Sequence, residues 1–495
     1  MVAAGLEPSP ARDATARRPA IPKERFDHAA ARHLGDLTSA CPDPNLRAAR
    51  RVDPYWSEPL AGRANASVWF NRATICDELT AAEIRRVPRA LTLDAAVATA
   101  LFNDPGDRRW LHRLCLRGAL YGWHTLTAAQ AAAFTGYEAF ADPTRSAIGD
   151  GFAAGAIKLG LFQGSAHVRF LREPTTTLRL VDATAERDDP NLTAIEQLNL
   201  TGYSQAASQR PGDRHNILAA DLALRAAEYL DVATVLSERF CTFDLLAGTG
   251  AGLVERSGGR AGDLCLILRN GTRVAIEVVA NKNGDLRKKV KEVVRLLSSA
   301  PWEQSALVFL FVIAPTNDSS VNQLRYAVYD AIADAVHEHP GTSFDRTSAR
   351  VGVVMWREWF PGPHLASRDF RTLTADRLTT STGMPGAAWE PTAFLQTHVG
   401  AEEQQRLLAV AGHAAHLAQT PYWLRDLHRG SSAAMEVLRA YTADDLPHPS
   451  PVRSNRVTNP ATASVPRTAR SQGAAEPAQL PRRLRGIAAA GSNAN

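Results

Sequence analysis

Lysine is scarce in this chain of 495 residues: only Lys23, Lys158, Lys282, Lys288, Lys289 and Lys291 occur, and arginine carries nearly all other positive charge. Cysteine is sparse too. Cys41, Cys76, Cys115, Cys241 and Cys265 are scattered without a Cys-x-x-Cys pair. That argues against a zinc finger or a disulfide frame and fits a reducing cytoplasm. No apolar run reaches bilayer-spanning length; the run 306–314 suits a buried strand. The N-terminus has no hydrophobic signal core and carries Glu7 and Asp13. The expectation is a cytoplasmic protein without a membrane partner. A net charge of +5 permits nucleic-acid binding without demanding it.

What the chain does have is a chemistry-bearing stretch from Asp263 to Ser299. Two apolar runs, 263–268 and 272–279, flank Arg269-Asn270-Gly271. This pattern predicts a buried β-hairpin. Asp263 opens the first strand, Glu277 lies near the end of the second, and Lys282 and a basic amphipathic helix follow. Two carboxylates and a lysine are the groups that a divalent-metal site for phosphodiester cleavage needs. Register decides whether they meet. A two-residue turn at Asn270-Gly271 puts Glu277 opposite Leu264; a three-residue loop, closed by a left-handed Gly271, pairs Leu268 with Thr272 and puts Glu277 opposite Asp263. The three-residue loop is the expectation. The bland alternative is a buried hairpin whose acids merely sit at strand ends. Four of the six lysines cluster just after Glu277, either to meet phosphates or as a solvated helix face.

The length predicts two or three domains. Residues 1–45, rich in Pro, Ala and Arg, read as a flexible arm, and 46–106 as a helical N-terminal region in which Trp56 and Trp69 fold onto something. Residues 107–182 show three helices and a hairpin, the order of a winged helix-turn-helix. The third helix is expected from Asp142 to about Leu159, and the two strands to turn at 173–175. Thr144, Arg145 and Ser146 would enter a major groove; Arg169, Arg172 and Arg179 would touch phosphates. The alternative is a module used for dimerisation or packing. Residues 183–212 read as a linker. Residues 213–360 predict an α/β domain with a mixed sheet, in which Glu228 or Glu238 could add a carboxylate and His215 most simply caps a helix. Arg287, Lys288, Lys291 and Arg295 on the basic helix are further candidates for gripping DNA. Residues 361–447 read as helical, with His413, His416 and His428 taken as surface or packing residues. Residues 448–495 form an expected disordered basic tail.

The order of motifs resembles a family: a winged helix-turn-helix, a helix opening with His215-Asn216, then Ser237-Glu238-Arg239, then a hairpin with Asp263 and Ala275-Ile276-Glu277-Val278. It is similar to the actinobacterial replication-relaxation proteins of plasmids and integrative elements, whose second domain is similar to the PD-(D/E)XK nuclease fold. The resemblance covers about 107–360. It implies binding of double-stranded DNA, a role in replication, relaxation or transfer of a mobile element, and element-encoded replication or transfer proteins as partners. It also implies Asp263 and Glu277 as the acids that would hold Mg2+. Val279 stands where the family's lysine would, so Lys282 must supply the ammonium, and little or no cleavage is expected. The alternatives are a Mg2+-dependent endonuclease or nickase, and a protein–protein adaptor in a replication complex.

Overall fold

The computed structural model describes residues 20–25, 30–57, 67–70, 110–141, 148–154, 157–162, 168–172, 213–238, 262–269, 272–280, 285–315, 318–379, 388–395 and 414–427, with isolated positions between them. The expected linker 183–212 and tail 448–495 lie outside the described residues.

The upstream module opens on helix α1, Trp110–Trp123, which buries Leu114, Leu116, Leu120 and Trp123. Strand β3, Thr125–Thr127, leads into α2, Ala128–Thr135. Thr127 and Gln130 form a capping box, and Gly136, at φ 77°, closes α2 in the left-handed conformation, as a helix C-terminus favours. Helix α3 spans Ile148–Ala153, and Lys158–Phe162 is strand β4 rather than the rest of a helix. The reason is pairing: Leu159 lies opposite Leu171 of β5, Val168–Arg172, and opposite Phe70 of β2, Ser67–Phe70. The hairpin therefore pairs Leu161 with Val168, ahead of the expected turn at 173–175. The sheet order is β2-β4-β5-β3.

Helix α4, Asp213–Tyr229, then feeds a seven-stranded mixed sheet. Strands β6 (Val232–Ser237), β7 (Leu264–Leu268) and β8 (Arg273–Val279) form an antiparallel meander. Helix α5, Leu286–Ser299, crosses to β9, Leu307–Ile313, which runs parallel to β8. Helix α6, Asp318–Glu338, crosses to β10, Val351–Met355, parallel to β9. Strands β7 to β10 are buried along their whole length, so they read as continuous apolar runs. Alternation still divides them. Leu266, Ile276 and Leu310 face α4 and the upstream module; Cys265, Ala275 and Phe311 face α5 and α6.

Two expectations are corrected here. The strand expected over 351–360 stops at Met355, where Glu358 Oε2 accepts from Met355 N (3.0 Å) and starts a single helical turn, Trp356–Trp359. The region after 360, expected to be helical, supplies β11 (Leu365–Ala366), β12 (Thr374–Leu378) and β13 (Trp389–Ala393). The last two extend the main sheet because the edge of β10 needs a partner. Helix α7, Ala414–Gln419, returns to α1, where a Cβ at Gly118 or Gly122 would overlap Ala418 or Gln419.

The N-terminal expectations also change. Within the expected arm, Arg25 is the counter-ion of Glu358, Asp369 and Asp376, Leu34 and Cys41 are buried, and β1 (Arg32–His33) pairs with β11. Residues 46–57, expected helical, form short turns: Asp53 Oδ1 accepts from Tyr55 N and Trp56 N around Pro54. Trp56 does fold onto the sheet domain, donating Nε1–H to the Phe360 carbonyl at 3.0 Å.

Candidate functional site

The site begins with the register of β7 and β8. Leu264 lies opposite Ile276, Leu266 opposite Val274, and Leu268 N donates to Thr272 O at 2.9 Å. The hairpin therefore turns over 269–271, as the three-residue expectation requires; the conformation of Gly271 lies outside the described residues. Continuing the register one step places Asp263 opposite Glu277. Asp263 N donates to Ile276 O (2.8 Å), and Asp263 Oδ2 accepts from Val278 N (2.7 Å).

Cations from two helices close on this pair. His215, in the first turn of α4, places Nε2 2.8 Å from Asp263 Oδ1. Lys289, in the first turn of α5, places Nζ 2.5 Å from Glu277 Oε1. Lys282 lies outside the described residues, so the ammonium seen at the acid pair comes from Lys289. The amphipathic pattern of α5 explains its position: Lys289 borders the stripe of Leu286, Val290 and Val293, which is buried against the sheet. That stripe and the lysine cluster after Glu277 are the sequence signals for it.

The electrostatics follow from burial and from the order of charges. Burial penalises the Asp263 carboxylate, but the His215 imidazolium outweighs this and holds it below the usual range. Burial opposes protonation of His215 as well, yet Asp263, with Glu277 and Glu238 behind it, raises it to about 9. Glu277 is raised to about 8, first by burial and then by the Asp263 charge, against the pull of Lys289. Lys289 is raised despite its burial because Glu277 and Asp263 face it. One negative charge is thus secured on Asp263, and Glu277 holds the second less firmly.

Two more groups enter from the rim. Glu238, just past β6, places Oε2 3.2 Å from His124 Nε2, at the junction of α1 and β3. The next residue, Thr125, donates its hydroxyl to Asp213 Oδ1 at 2.8 Å. The upstream module thus touches the site at two consecutive residues.

Mg2+ prefers oxygen ligands, with one or two carboxylates and several waters. Glu277 Oε2 is buried without a hydrogen-bond partner, and it lies beside Asp263. That donor set fits Mg2+, which Glu277 Oε2 and Asp263 Oδ1 would hold. Among the described residues no group of three or more His, Cys, Asp or Glu is placed to hold a metal ion directly.

The other sequence candidates do not gather here. Thr144, Arg145, Ser146, Arg179, His413 and His428 lie outside the described residues. Arg169 and Arg172 are on β5, and His416 is on α7. On the outer face of α5, Arg287 pairs with Asp334 (3.1 Å) and Lys291 with Glu338 (2.5 Å), both acids from α6. Lys288 is exposed and Arg295 half-buried. Among the described residues no helix is long and apolar enough to cross a membrane. Compared with models of known families, with curated proteins and with solved structures, the chain matches none of them.

Proposed function

We propose that this chain is a DNA-binding protein acting in replication, relaxation or transfer of a mobile genetic element. The observation that carries the reading is a helix–strand–helix–helix–hairpin module packed directly on an α/β sheet whose acid pair opens beside it. The first is the order of a winged helix-turn-helix. The second, a helix, three-stranded meander, crossover helix and parallel strand, supports the resemblance to the PD-(D/E)XK fold. Duplex DNA binding that falls steeply with salt, measured by fluorescence anisotropy, is the expected result, because bound lysines and arginines release counterions. Binding undetectable at low salt, or flat across the titration, favours the protein–protein adaptor instead.

The second reading, a Mg2+-dependent nickase or endonuclease, is favoured by Lys289. It supplies the ammonium missing two residues after Glu277. Mg2+ at the pair would neutralise charge on a phosphodiester and activate water. Lys289 then holds a positive charge where negative charge grows, and His215 can present an N–H to the same face. Against robust cleavage, both Asp263 oxygens already have partners, and Lys289 is bound to Glu277 rather than free to meet substrate. Supercoiled plasmid incubated with and without Mg2+ separates the two readings: weak or absent nicking is expected, abolished in Glu277→Gln where it occurs.

A further inference from the structure

His124 ends α1 in a left-handed backbone conformation, φ 63°, with its N–H bonded to Leu120 O at 2.8 Å. Glycine is the residue that such a helix end favours, because a Cβ is strained there. The histidine side chain is buried, and its Nε2 lies 3.2 Å from Glu238 Oε2, within ion-pair distance. Glu238 also stands at the acid site: the residue before it, Ser237, lies opposite Leu264, the residue after Asp263, and its charge helps raise His215 and Lys289.

We propose that His124 is a positioning residue of the acid site, holding Glu238 at the rim of the Asp263–Glu277 pair as an outer carboxylate for a hydrated divalent ion. The proposal rests on the reading of that pair as a divalent-ion site. An ion such as Mg2+ keeps most of its waters, and a carboxylate beyond the direct ligands binds those waters and orients them. Glu238 suits this role. It follows the last residue of β6, the strand that pairs with β7, and among the described residues it belongs to no direct three-residue ligand group. The imidazole that fixes it comes from the upstream module, so the site is complete only when that module is seated.

The experiment is a Mn2+ titration of the full chain, followed by electron paramagnetic resonance, without DNA. Wild type should bind Mn2+, and Glu277→Gln should abolish binding. Glu238→Gln and His124→Gly should each weaken it about tenfold, in the range that outer-shell partners command, and the double variant should be no weaker than either. His124→Gln, which keeps a donor near the Nε2 position, should recover most of the affinity. His124→Asn tolerates the left-handed backbone but is too short to reach Glu238, and it replaces His124→Gly if that variant does not fold. Mn2+ binding unchanged in the His124 variants, with Glu277→Gln still abolishing it, overturns the proposal alone. So does a double variant weaker by the product of the two single effects. No Mn2+ binding by wild type overturns the underlying ion-site reading and the proposal with it.

Discussion

Lys289 Nζ lies 2.5 Å from Glu277 Oε1, although the two residues belong to different elements and the chain must leave the sheet and enter α5 to bring them together. The pair is partly shielded rather than exposed. Lys289→Met should therefore destabilise the fold by roughly 1–3 kcal/mol at neutral pH, limited by solvent screening and by the ease with which Glu277 takes up a proton. Adding Glu277→Gln should restore most of that loss. Urea unfolding of the two single variants and the double checks this, and additive losses would contradict it.

The same cluster sets a pH dependence. Glu277 and His215 both hold protons more tightly folded than unfolded, Glu277 to about 8 and His215 to about 9. Between the unfolded values and these, the native state binds more protons, so stability falls as pH rises. The contribution of His215 is fully present below about 6.5 and lost through 9; for Glu277 the corresponding window opens near 4.5 and closes near 8. Urea midpoints should decline from pH 6.5 to 9, less steeply in Glu277→Gln. A midpoint that rises over that range would contradict the assignment.

Arg25 is the counter-ion of two acids with almost no solvent contact, Glu358 and Asp376; Asp376 also accepts from Tyr329 Oη at 2.5 Å. Arg25→Ala leaves buried negative charge unmatched and should cost roughly 3 kcal/mol. Asp376→Asn in that background should recover part of it, because the amide oxygen still accepts from Tyr329. Thermal unfolding of the three chains decides the point. Arg25→Ala melting with wild type would make the contact incidental.

Gly118 and Gly122 let α7 lie against α1, and Trp123 Nε1 donates to Gln419 O at 3.0 Å across the same contact. Gly122→Val should displace α7, destabilise by roughly 1–3 kcal/mol and shift tryptophan emission to the red as Trp123 gains water. An unshifted spectrum with unchanged stability would refute this packing.

The hairpin was legible in the sequence because its information is local. Arg269-Asn270-Gly271 between two apolar runs specifies the loop, and the loop specifies which acids face each other. Thr127, which caps α2, and Gly136, which ends it, are local signals of the same kind. What escaped was held by distant partners. Arg25 sits in a Pro- and Arg-rich stretch with little apolar residue of its own, and its partners lie more than 300 positions away. The region after 360 has weak strand propensity, and β12 forms because β10 offers it an edge. His215 looked like a helix cap because Asp263 is a neighbour only in three dimensions. Lys289 reaches Glu277 through the first turn of α5, a placement that no local spacing encodes.

One core cluster joins α1 and α2 of the upstream module to α4 and one face of the main sheet, and Gln130 donates to the Ile217 carbonyl at 2.9 Å across the same boundary. The two halves are therefore poor candidates for exchange. A recombinant that borrows its upstream half from a relative inherits a mismatched seam unless α4 travels with it. New surface properties of the module would then arise more readily from point changes on its outer face than from swapping the module whole.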